Sequence, residues 1–221
     1  MGLMRIEAPF NPLDKQNLGI SVAEALLAAD RSPLPPSERF VAAGVYAIYY
    51  QGSFKPYKAI AIPNLANNGS DVPIYVGKAV PAGARKGGFG LGSAPGTVLY
   101  NRLAEHAESV ARAENLDADT FFCRYLAVDD IWIPLGESLL IEMFNPLWNK
   151  ILAGFGNHDP GSGRHKGRKS AWDVVHPGRP FANNLQMGKS VEAILAEVER
   201  FLAAQPKPLS AKPSTPALGR K

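Results

Sequence analysis

VAAGVYAIYY, residues 41–50, is dense in β-branched and aromatic side chains and reads as a strand. PIYVGKAV, residues 73–80, reads as a second strand. A polar connection ending in ANNGSDVP, residues 66–73, joins them. The two are expected to pair as an antiparallel hairpin with a long loop, a place where insertions are tolerated. Gly44-Val45-Tyr46 sits in the first strand and Tyr75-Val76-Gly77 in the second. A strand tyrosine alone is ordinarily a packing residue. A tyrosine close to a glycine carries more information, because glycine lets another backbone or a ligand approach closely.

Working outward, TFFCRYLAV (120–128) reads as a third strand. VLYNRLAEHAESVARAEN (98–115) and IPLGESLLIEMFNPLWN (133–149) read as helices, the latter with prolines near both ends. The order strand, strand, helix, strand, helix places the chain in the α+β class. Upstream, GISVAEALLAAD (19–30) has helical spacing, and RSPLPPSERF (31–40) reads as a linker or an arm laid across another surface. Downstream, the glycine-rich stretch 151–181 reads as loop, too long for a passive connection. KSVEAILAEVERFLAAQ (189–205) is an amphipathic helix, and the Pro/Lys-rich end is expected to be disordered. The expected division is 1–37 as an N-terminal helix and arm, 38–204 as the main domain, and 205–221 as a tail.

A chain of 221 residues, 46% hydrophobic, can bury one sizeable core. No apolar run approaches the ~18 residues that span a bilayer, and MGLMRIEAPF lacks the pattern of a signal peptide. The single cysteine, Cys123, allows no internal disulfide and reads as a core residue, so a cytoplasmic protein is expected. Net charge is +4 overall, with the basic excess in the C-terminal third, which points to a polyanionic partner. GARKGGFGLG (83–92) lacks the Walker lysine-serine ending, so no nucleotide cofactor is expected.

Arg102 and His106, four residues apart, share one helix face: a cation able to bind phosphate beside a group able to move a proton. Glu105 points about 100° from His106, toward solvent. Glu137 and Glu142 are separated by about 140°, so both cannot face one site. A first-turn glutamate such as Glu137 is common simply because it suits the helix dipole. Only the ordered set of Tyr46, Tyr75, Arg102, His106, Glu137 and Asn149 is informative.

That set resembles the GIY-YIG nucleases. GVY and YVG stand where the two signature elements would, with valine for isoleucine in each. PIYVGKAVPAG, PLWN, GFGNHDPG and WDVVHPGR are similar to segments of the compact GIY-YIG type II restriction endonucleases, over about residues 38–180. The resemblance implies a small three-stranded antiparallel sheet flanked by helices. It implies cleavage of double-stranded DNA at a short GC-rich palindrome, CCGCGG in that subgroup, by a homodimer whose arm is either segment 32–36 or the N-terminal helix. It implies one Mg²⁺ per active site held by Glu137, with Mn²⁺ able to substitute, Arg102 on the scissile phosphate, and Asn149 holding the site together. Tyr46 is favoured as the base and Tyr75 as its partner, though the sequence leaves the two interchangeable. His106 is placed to take the proton, with Arg102 and the metal favouring phenolate.

DNA contacts are expected from Lys78, Arg85, Lys86, Asn157, His158, Arg164, His165, Lys166, Arg168, Lys169 and Arg179. Arginine and lysine serve both base reading and phosphate binding, so their roles stay open. Two alternatives remain: a repair or homing nuclease on the same module, and a non-catalytic DNA-binding protein on the same scaffold.

Overall fold

The computed structural model describes residues 11, 13–81, 94–159, 161 and 167–205. The architecture is α+β. Strands β1 (Ser32–Pro33), β2 (Gly44–Tyr50), β3 (Pro73–Ala79) and β4 (Phe121–Ala127) form one antiparallel sheet in the order β1-β4-β2-β3. Helices α1 (Lys15–Ala28), α2 (Lys58–Ala66), α3 (Val98–Ala111), α4 (Ile133–Phe144), α5 (Leu147–Lys150), α6 (Ala171–Val175) and α7 (Val191–Ala203) surround it. The expected GVY and YVG hairpin forms, with Tyr46 opposite Gly77 and Ile48 opposite Tyr75.

Strand β2 lies between β3 and β4, and all seven of its residues are buried. Its alternate side chains feed two cores. Tyr46, Ile48 and Tyr50 face a large core with α3, α5 and Phe155, whereas Val45, Ala47 and Tyr49 face a smaller one with α1 and α4. Both signature valines, Val45 and Val76, are fully buried in the smaller core, where a β-branched residue keeps the strand packed. Gly44 is required for close approach, since a Cβ there would lie 1.9 Å from the Leu126 carbonyl oxygen.

Four features differ from the sequence reading. The sheet has a fourth strand because Ser32–Pro33 pairs with Cys123 and Phe122; a proline fits at this outer position because it need not donate to a further strand. The proline-rich arm is therefore laid on the chain's own sheet. Arg31 and Arg124 also share the buried Asp71 carboxylate, and Arg124 donates to the Ala29 carbonyl, tying this arm and the end of α1 to the domain. The connection between β2 and β3 holds helix α2, hidden in the sequence by Pro63 within it and by the absence of a side-chain N-cap. The glycine-rich stretch 151–181 holds helix α6 and buries Trp172, Val175 and His176. The fourth is that the second long helix breaks at Asn145, in the left-handed conformation, before Pro146 restarts the chain as α5.

Candidate active site

The site gathers at β3, an edge of the sheet, from both of its faces. On the α3 side, the Tyr46 hydroxyl lies 2.6 Å from His106 Nε2. Both side chains are buried, with 1% exposure each. Gly77 makes room for this pair: a Cβ there would lie 2.4 Å from the Tyr46 hydroxyl. Phe155 stacks on the His106 ring with centroids 4.5 Å apart, and Tyr75 meets both rings edge-on. Burial dominates the electrostatics here. It pushes Tyr46 well above its ordinary pKa, and Tyr75 upward too, while Arg102 acts in the opposite direction on both. Of the protein's own groups, desolvation outweighs the arginine. Burial, and then the Arg102 charge, hold His106 well below its ordinary pKa. A neutral imidazole beside a neutral phenol results.

Arg102 is part-buried on α3. Its guanidinium donates to Glu105 at 2.7 Å, to His158 Nε2 at 2.9 Å and to the Gly156 carbonyl at 3.2 Å. Glu105 is half exposed, as its helical phase requires, yet it reaches back to neutralise the arginine. Gly156 sits where Arg102, Tyr75 and His106 converge. A Cβ on it would lie 2.9 Å from Arg102 Nη2 and 3.3 Å from the Tyr75 hydroxyl.

On the other face, Glu137 projects from the first turns of α4 and accepts from Lys78 Nζ at 2.6 Å. Lys78 is opposite Val45 in the hairpin, so it points toward α4 while Tyr75 is in contact with His106 and Phe155 beside α3. The Glu137 charge still raises the pKa of both tyrosines, so it belongs to the same electrostatic site. Glu142 is exposed on another side of the helix. Asn149, on α5, accepts from Val76 N and donates to Val76 O, both at 2.8 Å. It thus replaces a missing neighbour strand at the edge of β3 and fixes the YVG backbone.

The family model described as the Eco29kI GIY-YIG domain matches residues 38–202. The chain belongs to this family. It is thus a GIY-YIG restriction endonuclease, a nuclease whose substrate class is double-stranded DNA. No curated protein matches the chain. The match takes in all six ordered residues from Tyr46 to Asn149 and most of the basic C-terminal region.

For the residues expected to face DNA the outcomes differ. Asn157, His158 and Arg168 are exposed and Lys169 is part-exposed. Arg168 pairs with Gln186 in a two-segment bridge beside a cleft that also touches Asn157 and His158. Lys78 is a partner of Glu137 in the DNA-free protein. Arg85, Lys86, Arg164, His165 and Lys166 lie outside the described residues. Arg179 corrects the sequence reading: it is 1% exposed, bonded to Asp173 and to three backbone carbonyls, and stacked on Trp172. With four of its five N–H donors engaged and the side chain inside the core, this guanidinium is not on a surface that could meet DNA. The sequence reading also gave Glu105, Phe155 and Gly156 no place in the site; the GFG repeat of small residue, ring, small residue was the only local sign of the last two.

Proposed function

We propose that the chain is a sequence-specific type II restriction endonuclease that hydrolyses DNA at a short GC-rich palindrome, with CCGCGG as the first site to test. The observation that carries the catalytic reading is the buried Tyr46–His106 pair beside Arg102. A water aligned against the phenolic oxygen loses a proton to it as the phenol's own proton passes to His106 Nε2. The neutral imidazole is the acceptor this relay needs, since a histidine already charged could take no proton. Arg102 receives the scissile phosphate in place of the Glu105 carboxylate and stabilises the added charge. Tyr75 orients the phosphate or water by hydrogen bonding, and no covalent enzyme intermediate forms.

Glu137 is the residue that would hold a divalent metal. Among the described residues no group of three or more His, Cys, Asp or Glu side chains gathers. The proposed donor set is the Glu137 carboxylate, to be completed by water and phosphate oxygens, which suits Mg²⁺, with Mn²⁺ as substitute. When bound, such an ion neutralises phosphate charge and eases departure of the leaving oxygen. Lys78 shifts from Glu137 toward DNA.

A palindrome needs two sites related by a two-fold axis, so a homodimer is part of this reading. Among the described residues no helix is long and apolar enough to cross a membrane. A cytoplasmic location is the one in which a restriction enzyme meets invading DNA. The test is digestion of unmethylated plasmid and phage DNA with Mg²⁺, alongside Glu137→Ala and EDTA controls. Discrete fragments absent from both controls are expected, with mapped ends giving the site. Intact DNA that still binds the protein would replace this reading with a non-catalytic one.

A further inference from the structure

The loop 154–158 touches the active site on one side and Arg179 on the other. Arg179 donates from Nε to Asp173 at 2.7 Å, from Nη1 to the Phe155 and Asn157 carbonyls at 2.8 and 3.1 Å, and from Nη2 to the Gly154 carbonyl at 2.8 Å. Three carbonyls within one four-residue turn converge on a single planar cation. Trp172 and Phe181 flank that plane, with the guanidinium carbon 4.4 and 5.0 Å from their ring centroids. Asp173 is itself fixed, buried and accepting from Ser170 Oγ at 2.7 Å. The turn so held presents three groups to the site: the Phe155 ring on His106, the Gly156 carbonyl on Arg102, and His158 on the same guanidinium.

We infer that Arg179 is a positioning residue for phosphodiester cleavage, setting Arg102 and His106 through the loop 154–158. This rests on the function proposed above. The loop has no regular secondary structure to hold its carbonyls, and one cation satisfies three of them. Gly156 lies so near Arg102 and Tyr75 that displacement of the loop by a few tenths of an ångström reaches both. Lysine, a point charge with no planar fork, cannot serve four acceptors in this arrangement.

The test is Arg179→Lys, read by three measurements on the full-length protein. In single-turnover cleavage at saturating DNA the rate falls at least about tenfold, the scale expected for misplaced catalytic groups. DNA affinity measured without metal, and its dependence on salt, stay as in the parent. Backbone amides of residues 154–158 exchange with deuterium faster, by roughly tenfold or more. In an Arg102→Lys background the same substitution costs less than in the parent, because part of its effect passes through Arg102. A parental single-turnover rate overturns the inference, and a parental rate with weakened DNA affinity would instead make Arg179 a DNA contact. Unchanged amide exchange overturns it as well. Should Arg179→Lys not fold, Gly156→Ala displaces the same loop from the active-site side; a tenfold slower enzyme of unchanged affinity is expected, and a parental rate refutes the coupling. If the parent cleaves no DNA at all, the proposed function fails, while the exchange result still decides whether Arg179 holds the loop.

Discussion

Lowering the pH from about 7 to about 5 should destabilise this protein strongly, and the magnitude follows from two buried histidines. His176 is fully buried, accepts or donates at Tyr57 and Asn115, and is held down to a pKa of about 3 by burial and by Arg179. His106 is shifted in the same direction. Both are neutral when folded, whereas the unfolded chain protonates them near pH 6.5. Stability from such a depressed base is fully present above that value and is lost as pH falls toward the folded pKa. For His176 the loss between pH 7 and pH 5 is about 2 kcal/mol, and His106 adds to it in the same direction. That window lies above the ordinary range of carboxylates, so histidines dominate it. Urea unfolding at the two pH values reads the difference directly. In His176→Gln, less stable at pH 7, the pH-dependent part shrinks by about 2 kcal/mol. A loss below about 1 kcal/mol in the parent would refute the reasoning, because it would mean that both imidazoles titrate as if in water.

Further expectations concern the site and its supports. Asn149→Ala leaves both backbone groups of Val76 unpaired and should cost roughly 1–3 kcal/mol in thermal or urea unfolding, with cleavage reduced because the YVG strand loses its register. Gly77→Ala forces a methyl into the Tyr46 phenol, so cleavage should fall by about a hundredfold or more under single turnover while DNA binding persists; a parental rate would remove Tyr46 from its place against β3. Tyr46→Phe should slow cleavage by about 10²–10⁴-fold and Tyr75→Phe by less, which separates proton relay from orientation. Arg168→Ala and Lys169→Ala should each lower the salt slope of DNA binding by about one if they contact phosphate, and Arg168→Ala should instead relax site preference if it reads a base edge.

The charged side chains of the site are paired with one another. Arg102 is paired with Glu105 and Glu137 with Lys78. In each pair one partner is substantially exposed, so the pair can open without unpacking the core.

What the sequence determined by itself is three of the four strands and the ordered list of chemical groups. Strand composition and helical spacing are local properties, and they located β2, β3, β4, α3 and α4 directly. The types and order of Tyr46, Tyr75, Arg102, His106, Glu137 and Asn149 were legible for the same reason. Helix α2 was not, because Pro63 and a missing cap erase its local signal, and β1 was not, because two residues become a strand only when β4 lies beside them. The tertiary structure alone decided which groups are charged and which are available. Tyr46 meets His106 across 60 residues and Lys78 meets Glu137 across 59, separations no periodic pattern spans. Arg179 stands among basic residues in the chain, and in the fold it lies in the core on three carbonyls. Burial is a property of the whole assembly, and burial sets both the protonation of His106 and the fate of that arginine.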